Sequence, residues 1–358
     1  MERFYYLPII LLGFACKVNL PKQDLMTFYT SSGEMKQVET ISDWEMKRMQ
    51  ILDSMQAVMG PLPSLTDLPP LNVQYIDSIK ESKYTRYSIS FTAAPGESVS
   101  AYLYIPNNLS IKKYPAMLAL HPTGPPGKRI IDEGGIYGRA YAKELAQRGY
   151  VVIAPDYPGY GDLNDYDFRN SRYVSGTMAG IFYHIRCVDL LQERCDVDED
   201  RIGVIGHSLG GHNAMFVAAF EPRLKVIVSS AGWTDLEYYD IGPEADSLFG
   251  GRLGPWAQDR YMPLFRDKYH LNGDMIPFNF HEIIALLAPR PFFSNSTVND
   301  FFDVNGVKEG IAKSGKAYHF LNADEQLQVR YPDGKHDFPD NIRIEAYDFI
   351  DKVFVYNQ

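Results

Sequence analysis

From residue 115 onward, short apolar runs alternate with stretches of helical periodicity, and few architectures satisfy that alternation. "AMLALH" (116–121), "YVVIAP" (150–155), "RIGVIG" (201–206), "LKVIVSSAG" (224–232), "RPFFSNS" (290–296) and "QLQVRYP" (326–332) read as strands. "GRAYAKELAQRG" (138–149), "MAGIFYHIRCVDLLQER" (178–194), "SLGGHNAMFVAAF" (208–220), "VNGVKEGIAKS" (304–314) and "NIRIEAYDFIDKVF" (341–354) read as helices. A strand apolar at successive positions has to be covered on both faces. Strands that alternate with helices build a mostly parallel sheet with helices on either side. The fold class is therefore α/β.

The region before residue 115 differs. "YTRYSISF" and "SVSAYLYIP" alternate apolar and polar residues around the turn "AAPGE", the pattern of antiparallel strands. Upstream lie a proline-rich connector (61–72) and an amphipathic helix (42–60), with Ser42 or Asp43 as N-cap and Gly60 as the stop. Residues 17–40 are polar without sustained periodicity and read as a tether. "MERFYYLPIILLGFAC" (1–16) has an early Arg3, then an apolar run too short to span a bilayer, the form of an export signal. Gly13-Phe14-Ala15-Cys16 resembles a bacterial lipoprotein cleavage box, which makes Cys16 the lipidation candidate and otherwise leaves a plain signal peptide. The expected division is a signal over 1–16, a tether and helix over 17–72, and a catalytic domain over 73–358 with an insertion at 233–289. The expected location is exported: a periplasmic or outer-membrane-anchored lipoprotein, or a secreted protein.

The formal net charge of -10 disfavours nucleic acid or an anionic membrane surface as a partner. Any membrane contact is expected through an N-terminal lipid alone. Cys187 and Cys195 lie eight residues apart on one expected helix, roughly 12 Å between Cα atoms, and read as two buried free thiols. No C-x-x-C or H-E-x-x-H pattern occurs, so neither a metal nor any other cofactor is expected.

The chemistry centres on "GHSLGG", which sets Ser208 between Gly206 and Gly210 after a strand and before a helix. That is the setting of a nucleophile elbow, a sharp turn whose flanks favour residues without a Cβ. A serine hydroxyl needs a base in hydrogen-bond reach. His336, in the loop "YPDGKHDFPDN" after the last strand, is the candidate. His207 and His212 are expected to pack around the elbow, His121 to brace its loop, and His319 to precede or open the last strand. The residue that orients the imidazole should follow "RPFFSNS"; Asp300 lies nearest the strand end, and Asp303 looks like a helix N-cap. Oxyanion donors are expected from the N–H of Leu209 and, in the loop "HPTGPPGK", of Thr123, with Gly124 second. The segment 233–289 is rich in aromatic residues and is expected to lie over the site; within it "NFHEIIALLAP" (279–289) carries a capping box and reads as a helix. Tyr157, Tyr160 and Trp233 are candidate substrate contacts.

The stretches "RGYVVIAPDYPGYGD" (148–162), "VDEDRIGVIGHSLGGHNA" (198–214), "FHEIIALLAPRPFFSNSTVNDFFDVNGV" (280–307) and "DGKHDFP" (333–339) resemble the α/β-hydrolase superfamily, in particular its dienelactone-hydrolase-like and acetyl-xylan-esterase-like branch. The resemblance implies the α/β-hydrolase fold and a triad of Ser208, Asp300 and His336. Two departures stand out. Dienelactone hydrolases use a cysteine nucleophile where this chain has Ser208, and the oxyanion loop usually begins His-Gly where this chain has His121-Pro122. The expected activity is hydrolysis of a carboxylic ester through an acyl-enzyme, on a small-molecule or carbohydrate ester; a deacetylase of acylated carbohydrate follows by analogy. The alternatives are a prolyl-oligopeptidase-like peptidase, for which roughly 75 residues between signal and core strands cannot form a propeller, and a non-catalytic binding module.

Overall fold

The computed structural model describes residues 24–107, 113–133 and 139–356. The export segment with Cys16, and Gly138 of the helix expected over 138–149, lie outside the described residues.

The described chain opens with an antiparallel hairpin of β1 (Thr27–Tyr29) and β2 (Met35–Gln37), followed by α1 (Ile41–Met59). Three antiparallel strands come next: β3 (Gln74–Lys80), β4 (Tyr84–Ala94) and β5 (Glu97–Pro106). The alternating part follows: β6 (Tyr114–Leu120), α2 (Ile130–Glu133), α3 (Tyr141–Gln147), β7 (Val151–Pro155), α4 (Gly176–Gln192), β8 (Val197–His207), α5 (Leu209–Phe220) and β9 (Leu224–Ser230). The 233–289 segment contributes α6 (Pro243–Phe249), α7 (Leu264–Asp267) and α8 (Phe280–Leu287). The chain continues through β10 (Phe292–Asn295), α9 (Val304–Phe320), β11 (Leu327–Arg330) and α10 (Asp340–Tyr356).

Among the described residues the main sheet has nine strands in the order β11-β10-β9-β8-β6-β7-β5-β4-β3. From β7 across to β11 all neighbours are parallel. The chain winds one way from β6 to β7 and the other way from β8 to β11. The order therefore reverses between β6 and β8, where such sheets place their ligands, beyond the strand C-termini.

The continuous apolar runs follow from two-faced burial. In β6, Ala116, Leu118 and Leu120 point to one core, and Met117 and Ala119 to the other. The first core is covered by α4, α5, α8 and α9, the second by α3 and α10. α4 is buried on nearly every side, not on one stripe, because the sheet, the neighbouring α5 and the Tyr166 and Tyr173 rings of the preceding loop all pack against it.

Several sequence expectations are corrected. Residues 24–40 are not a tether: Leu25, Phe28 and Val38 are buried in the main core, and the hairpin packs on α1. α1 is capped by Thr40, in a reciprocal pair with Asp43, instead of by Ser42 or Asp43. β3 was not anticipated; its side chains are exposed along the sheet edge, so no inward-facing pattern marks it. α4 ends at Gln192, which leaves Cys195 beyond the helix and exposed; Cys187 is buried, and both thiols are free. His319 does not open the last strand. It lies in the last turn of α9, exposed and paired with Asp324.

Burial also couples stability to pH. His212 on α5 is sandwiched between Phe216 and Trp256, with ring centroids 3.9 and 4.5 Å away, and neither ring nitrogen has a hydrogen-bond partner among the described residues. Burial lowers its pKa to about 3. The folded state then resists a proton that the unfolded chain accepts below about pH 6.5. This contribution to stability is complete above pH 6.5 and is lost as pH falls toward 3. His212→Phe is expected to flatten the fall in unfolding free energy between pH 6.5 and 4.5 by about 1.4 kcal/mol per pH unit. Denaturant titrations across that range test this; parallel curves for the variant and the wild type would refute it.

Candidate active site

Strand β8 delivers Ser208 to the switch point, and α5 starts at the next residue. Ser208 has φ 58° and ψ -122°, a backbone conformation that costs a non-glycine residue on the order of 1–3 kcal/mol. The close approach of helix to strand explains the flanking glycines. A Cβ on Gly206 would lie 2.1 Å from the Gly210 carbonyl oxygen, and one on Gly210 would lie 1.9 Å from that of Leu120. The Ser208 N–H donates to the Ser230 carbonyl at 2.8 Å, which fixes the turn against β9.

His336 and Asp300 arrive on the loops after β11 and β10. The two loops are joined: the Thr297 hydroxyl donates to the Lys335 carbonyl at 2.6 Å, and the Asn299 N–H donates to that of Gly334 at 3.0 Å. The Asn295 amide donates to the Asp337 carbonyl at 2.9 Å. Within this frame His336 Nδ1 lies 2.9 and 3.0 Å from the two Asp300 oxygens, and Nε2 lies 2.7 Å from Ser208 Oγ. A carboxylate only accepts, so Nδ1 carries the proton and Nε2 is left to accept from the serine hydroxyl. The Asp300 side chain is 1% exposed, and the Phe302 N–H donates to it at 3.2 Å. Phe301 stacks on the imidazole with 4.3 Å between centroids.

The other histidines have different surroundings. His207 Nδ1 lies 2.9 Å from Ser230 Oγ; burial, with His336 and Arg139 nearby, holds its ring neutral. His121 Nε2 accepts from the Tyr157 N–H at 3.0 Å, so its Nδ1–H donates to the Pro122 carbonyl at 2.8 Å. It thus ties the loop after β6 to the loop after β7.

Leu209 and Thr123 both line the same cavity as Ser208. As the first residue of α5, Leu209 has an N–H without an intrahelical acceptor. The Thr123 loop is held by a buried ion pair. Asp156 accepts from the Lys128 ammonium, from the Lys128 N–H at 2.9 Å and from the Asp162 N–H at 2.9 Å, and both charged side chains are almost wholly buried. Asp156→Ala removes the acceptor of all three bonds and leaves Lys128 with Asp162, at 2.7 Å, as its remaining carboxylate. The expected loss is about 3 kcal/mol of stability, at the low end for a broken buried pair because Asp162 compensates in part. Urea unfolding measures it; a loss under about 1 kcal/mol would show that the pair is dispensable.

The cavity measures about 360 Å³. Tyr239, Trp256 and Tyr261 from the 233–289 segment form much of its wall, with Phe249 of α6 and with Phe301 and Phe302. Tyr157, Tyr160 and Trp233, the sequence candidates for substrate contact, do not line it. They are buried one layer back: the Tyr157 hydroxyl donates to the Arg260 carbonyl at 2.7 Å, Tyr160 Oη lies 2.6 Å from Tyr261 Oη, and Trp233 Nε1 donates to Ser294 Oγ at 3.1 Å. Sequence reasoning did not single out Arg139, Gln258, Phe301 or Phe302 as lining residues. Phe301 could have been suspected from its place beside Asp300; the others carry no local signal.

Residues 130–337 match the model of the alpha/beta hydrolase family, and the chain belongs to that family. It is therefore a hydrolase built on this fold. A Bacillus subtilis protein, YtaP, is 28% identical over 254 residues, covering 68% of this chain and 78% of that protein. Carbohydrate esterase MZ0003, from an unknown prokaryote, is 25% identical over 188 residues, 48% of this chain and 42% of the relative. Among solved structures, a glucuronoyl esterase from Solibacter usitatus superposes with a TM-score of 0.71 at 19% identity, covering 94% of this chain and 99% of its own. That likeness is one of fold.

Proposed function

We propose that the chain is a serine hydrolase of carboxylic esters, with Ser208 as nucleophile, His336 as general base and acid, and Asp300 as the group that orients and stabilises the imidazole. The observation that carries this reading is the unbroken hydrogen-bond path from Asp300 through His336 to Ser208, opening onto one cavity. His336 Nε2 takes the hydroxyl proton as Ser208 Oγ attacks the ester carbonyl. The oxyanion is received by the N–H groups of Leu209 and Thr123. Collapse expels the alcohol, protonated from His336, and leaves an acyl-enzyme. Water, deprotonated by the same nitrogen, attacks that ester and releases the acid and the free serine. The buried Asp300 stabilises the imidazolium that forms in each half-reaction.

The substrate class is a carbohydrate ester. The support is an aromatic wall suited to the flat face of a sugar ring, together with the relative named as a carbohydrate esterase. Removal of acetyl groups remains the first activity to test; release of methanol from uronate methyl esters is the second. The domain division keeps its catalytic unit at 73–358, with 233–289 forming part of the cavity wall and the 24–72 segment packed onto the same core. Export and lipidation at Cys16 are retained as part of the reading.

Acetylated oligosaccharides, methyl uronates and 4-nitrophenyl acetate are offered to the wild type, alongside fluorophosphonate labelling. Ester turnover with label on Ser208 is the expected result. Label without ester turnover would favour a peptidase, and neither would leave a binding module.

A further inference from the structure

Arg139 has no place in the mechanism above, yet it lines the same cavity as Ser208 and His336. It stands just before α3, on the chain that follows β6. Its surroundings differ from those of several other buried or half-buried arginines. Arg343 pairs with Glu144, Arg186 with Asp189, and Arg86 with Asp132. Arg290 caps the end of α5 through the carbonyls of Ala218, Glu221 and Leu224. Among the described residues Arg139 makes a single bond, from Nη2 to the His336 carbonyl at a long 3.4 Å, and its Nε is buried without a partner there. Among the described residues no carboxylate pairs with it.

A second, independent observation concerns the cavity. The chain carries a formal net charge of -10, but the described lining includes no Asp or Glu. The guanidinium lines an aromatic cavity whose described lining holds no carboxylate, and its Nε is buried and unpaired among the described residues. A buried cationic donor left without a partner costs free energy. The arrangement becomes favourable once an anion enters. A carboxylate fits the planar fork in two parallel charge-assisted bonds.

We propose that Arg139 recognises a carboxylate on the substrate, so that the esters preferred by this site carry a negative charge close to the scissile bond, as an acidic sugar would. This inference rests on the ester-hydrolase reading and adds a charge requirement to it. Arg139 acts in binding; it takes no proton and forms no covalent bond.

The test compares paired esters. 4-Acetoxybenzoate and its neutral methyl ester place the charge on the leaving group. Mono-4-nitrophenyl glutarate and 4-nitrophenyl butyrate place it on the acyl side. For each pair the readout is the ratio of kcat/KM, anionic over neutral, in the wild type, Arg139→Gln and Arg139→Lys. The ratio cancels any loss common to both esters, including one caused by a shift of His336. In at least one pair, Arg139→Gln should lower the ratio about ten- to a hundredfold, the range of hydrogen bonds to charged groups. Arg139→Lys, which keeps the charge without the fork, should lower it less. Fluorophosphonate labelling of Ser208 in each variant shows that the site is still assembled. Turnover of both esters with an unchanged ratio in both pairs would overturn the role of Arg139 and leave the ester-hydrolase reading standing. An equal fall for both members of each pair points to the oxyanion instead, and overturns it equally. No turnover of any ester and no label on Ser208 would remove both readings together.

Discussion

Ser208→Ala is expected to lower kcat on 4-nitrophenyl acetate by about a millionfold, to the level that binding and the oxyanion donors sustain without a nucleophile. The size of the effect follows from the geometry. Ser208 Oγ is the atom to which His336 Nε2 points at 2.7 Å, and no other hydroxyl takes that place in the hydrogen-bond path. Fluorophosphonate incorporation should vanish with it, as read by intact mass. The fold should survive, since Ser208 sits at the cavity and its N–H bond to Ser230 is made by the backbone. Ser208→Gly supplies an internal control. It should be equally inactive yet melt higher than Ser208→Ala, because glycine accepts φ 58° without the strain a side chain brings. Ser208→Ala that retained more than about a hundredth of wild-type kcat would place the nucleophile elsewhere.

Asp300→Asn is expected to lower kcat by about ten-thousandfold with the fold intact. The carboxylate accepts the hydrogen bond of Nδ1–H, with its two oxygens 2.9 and 3.0 Å from that nitrogen. An amide in its place can turn its NH₂ toward that nitrogen, which transfers the ring proton to Nε2. Nε2–H then faces Ser208 as a donor where an acceptor is required. The imidazolium formed in the transition state also loses its buried counter-charge. Steady-state kinetics with the same ester measure the fall, and burst kinetics show whether acylation carries it. A loss of less than tenfold would mean that His336 is held in register by Phe301 and the loop backbone, with the carboxylate incidental.

Much of the frame could be read from residue patterns. The apolar runs of β6, β7, β8 and β9 mark strands buried on both faces, and their alternation with helices implies a parallel sheet wound on both sides. Gly206 and Gly210 mark the elbow because a Cβ at either position would meet backbone, a demand local to a few residues. Asp300 and His336 were legible for a related reason. In a parallel sheet the loops after successive strands emerge at one edge, so order along the chain stands in for proximity. Asn279 and Glu282 announced α8 through a capping box, which is likewise a short-range device.

Other features had no local signature. Residues 24–40 look like a polar tether, and only the packing of Leu25, Phe28 and Val38 into the main core reveals a folded hairpin. The Tyr157, Tyr160 and Trp233 rings are aromatic and near the site in sequence, yet they lie behind the cavity wall while Tyr239, Trp256 and Tyr261 form it. Arg139 reads as one cation in a helix start; that no carboxylate pairs with it among the described residues is visible only in the folded chain.

The residue string therefore settled the α/β fold, the elbow at Ser208 and the order of Ser208, Asp300 and His336, since each depends on periodicity, a close backbone contact or the direction of parallel strands. Which side chains face the 360 Å³ cavity, and which cation is left there without a carboxylate, was decided by the folded chain alone. Facing and pairing depend on contacts between residues distant along the chain, and those exist only after the sheet, the 233–289 segment and the loops have packed together.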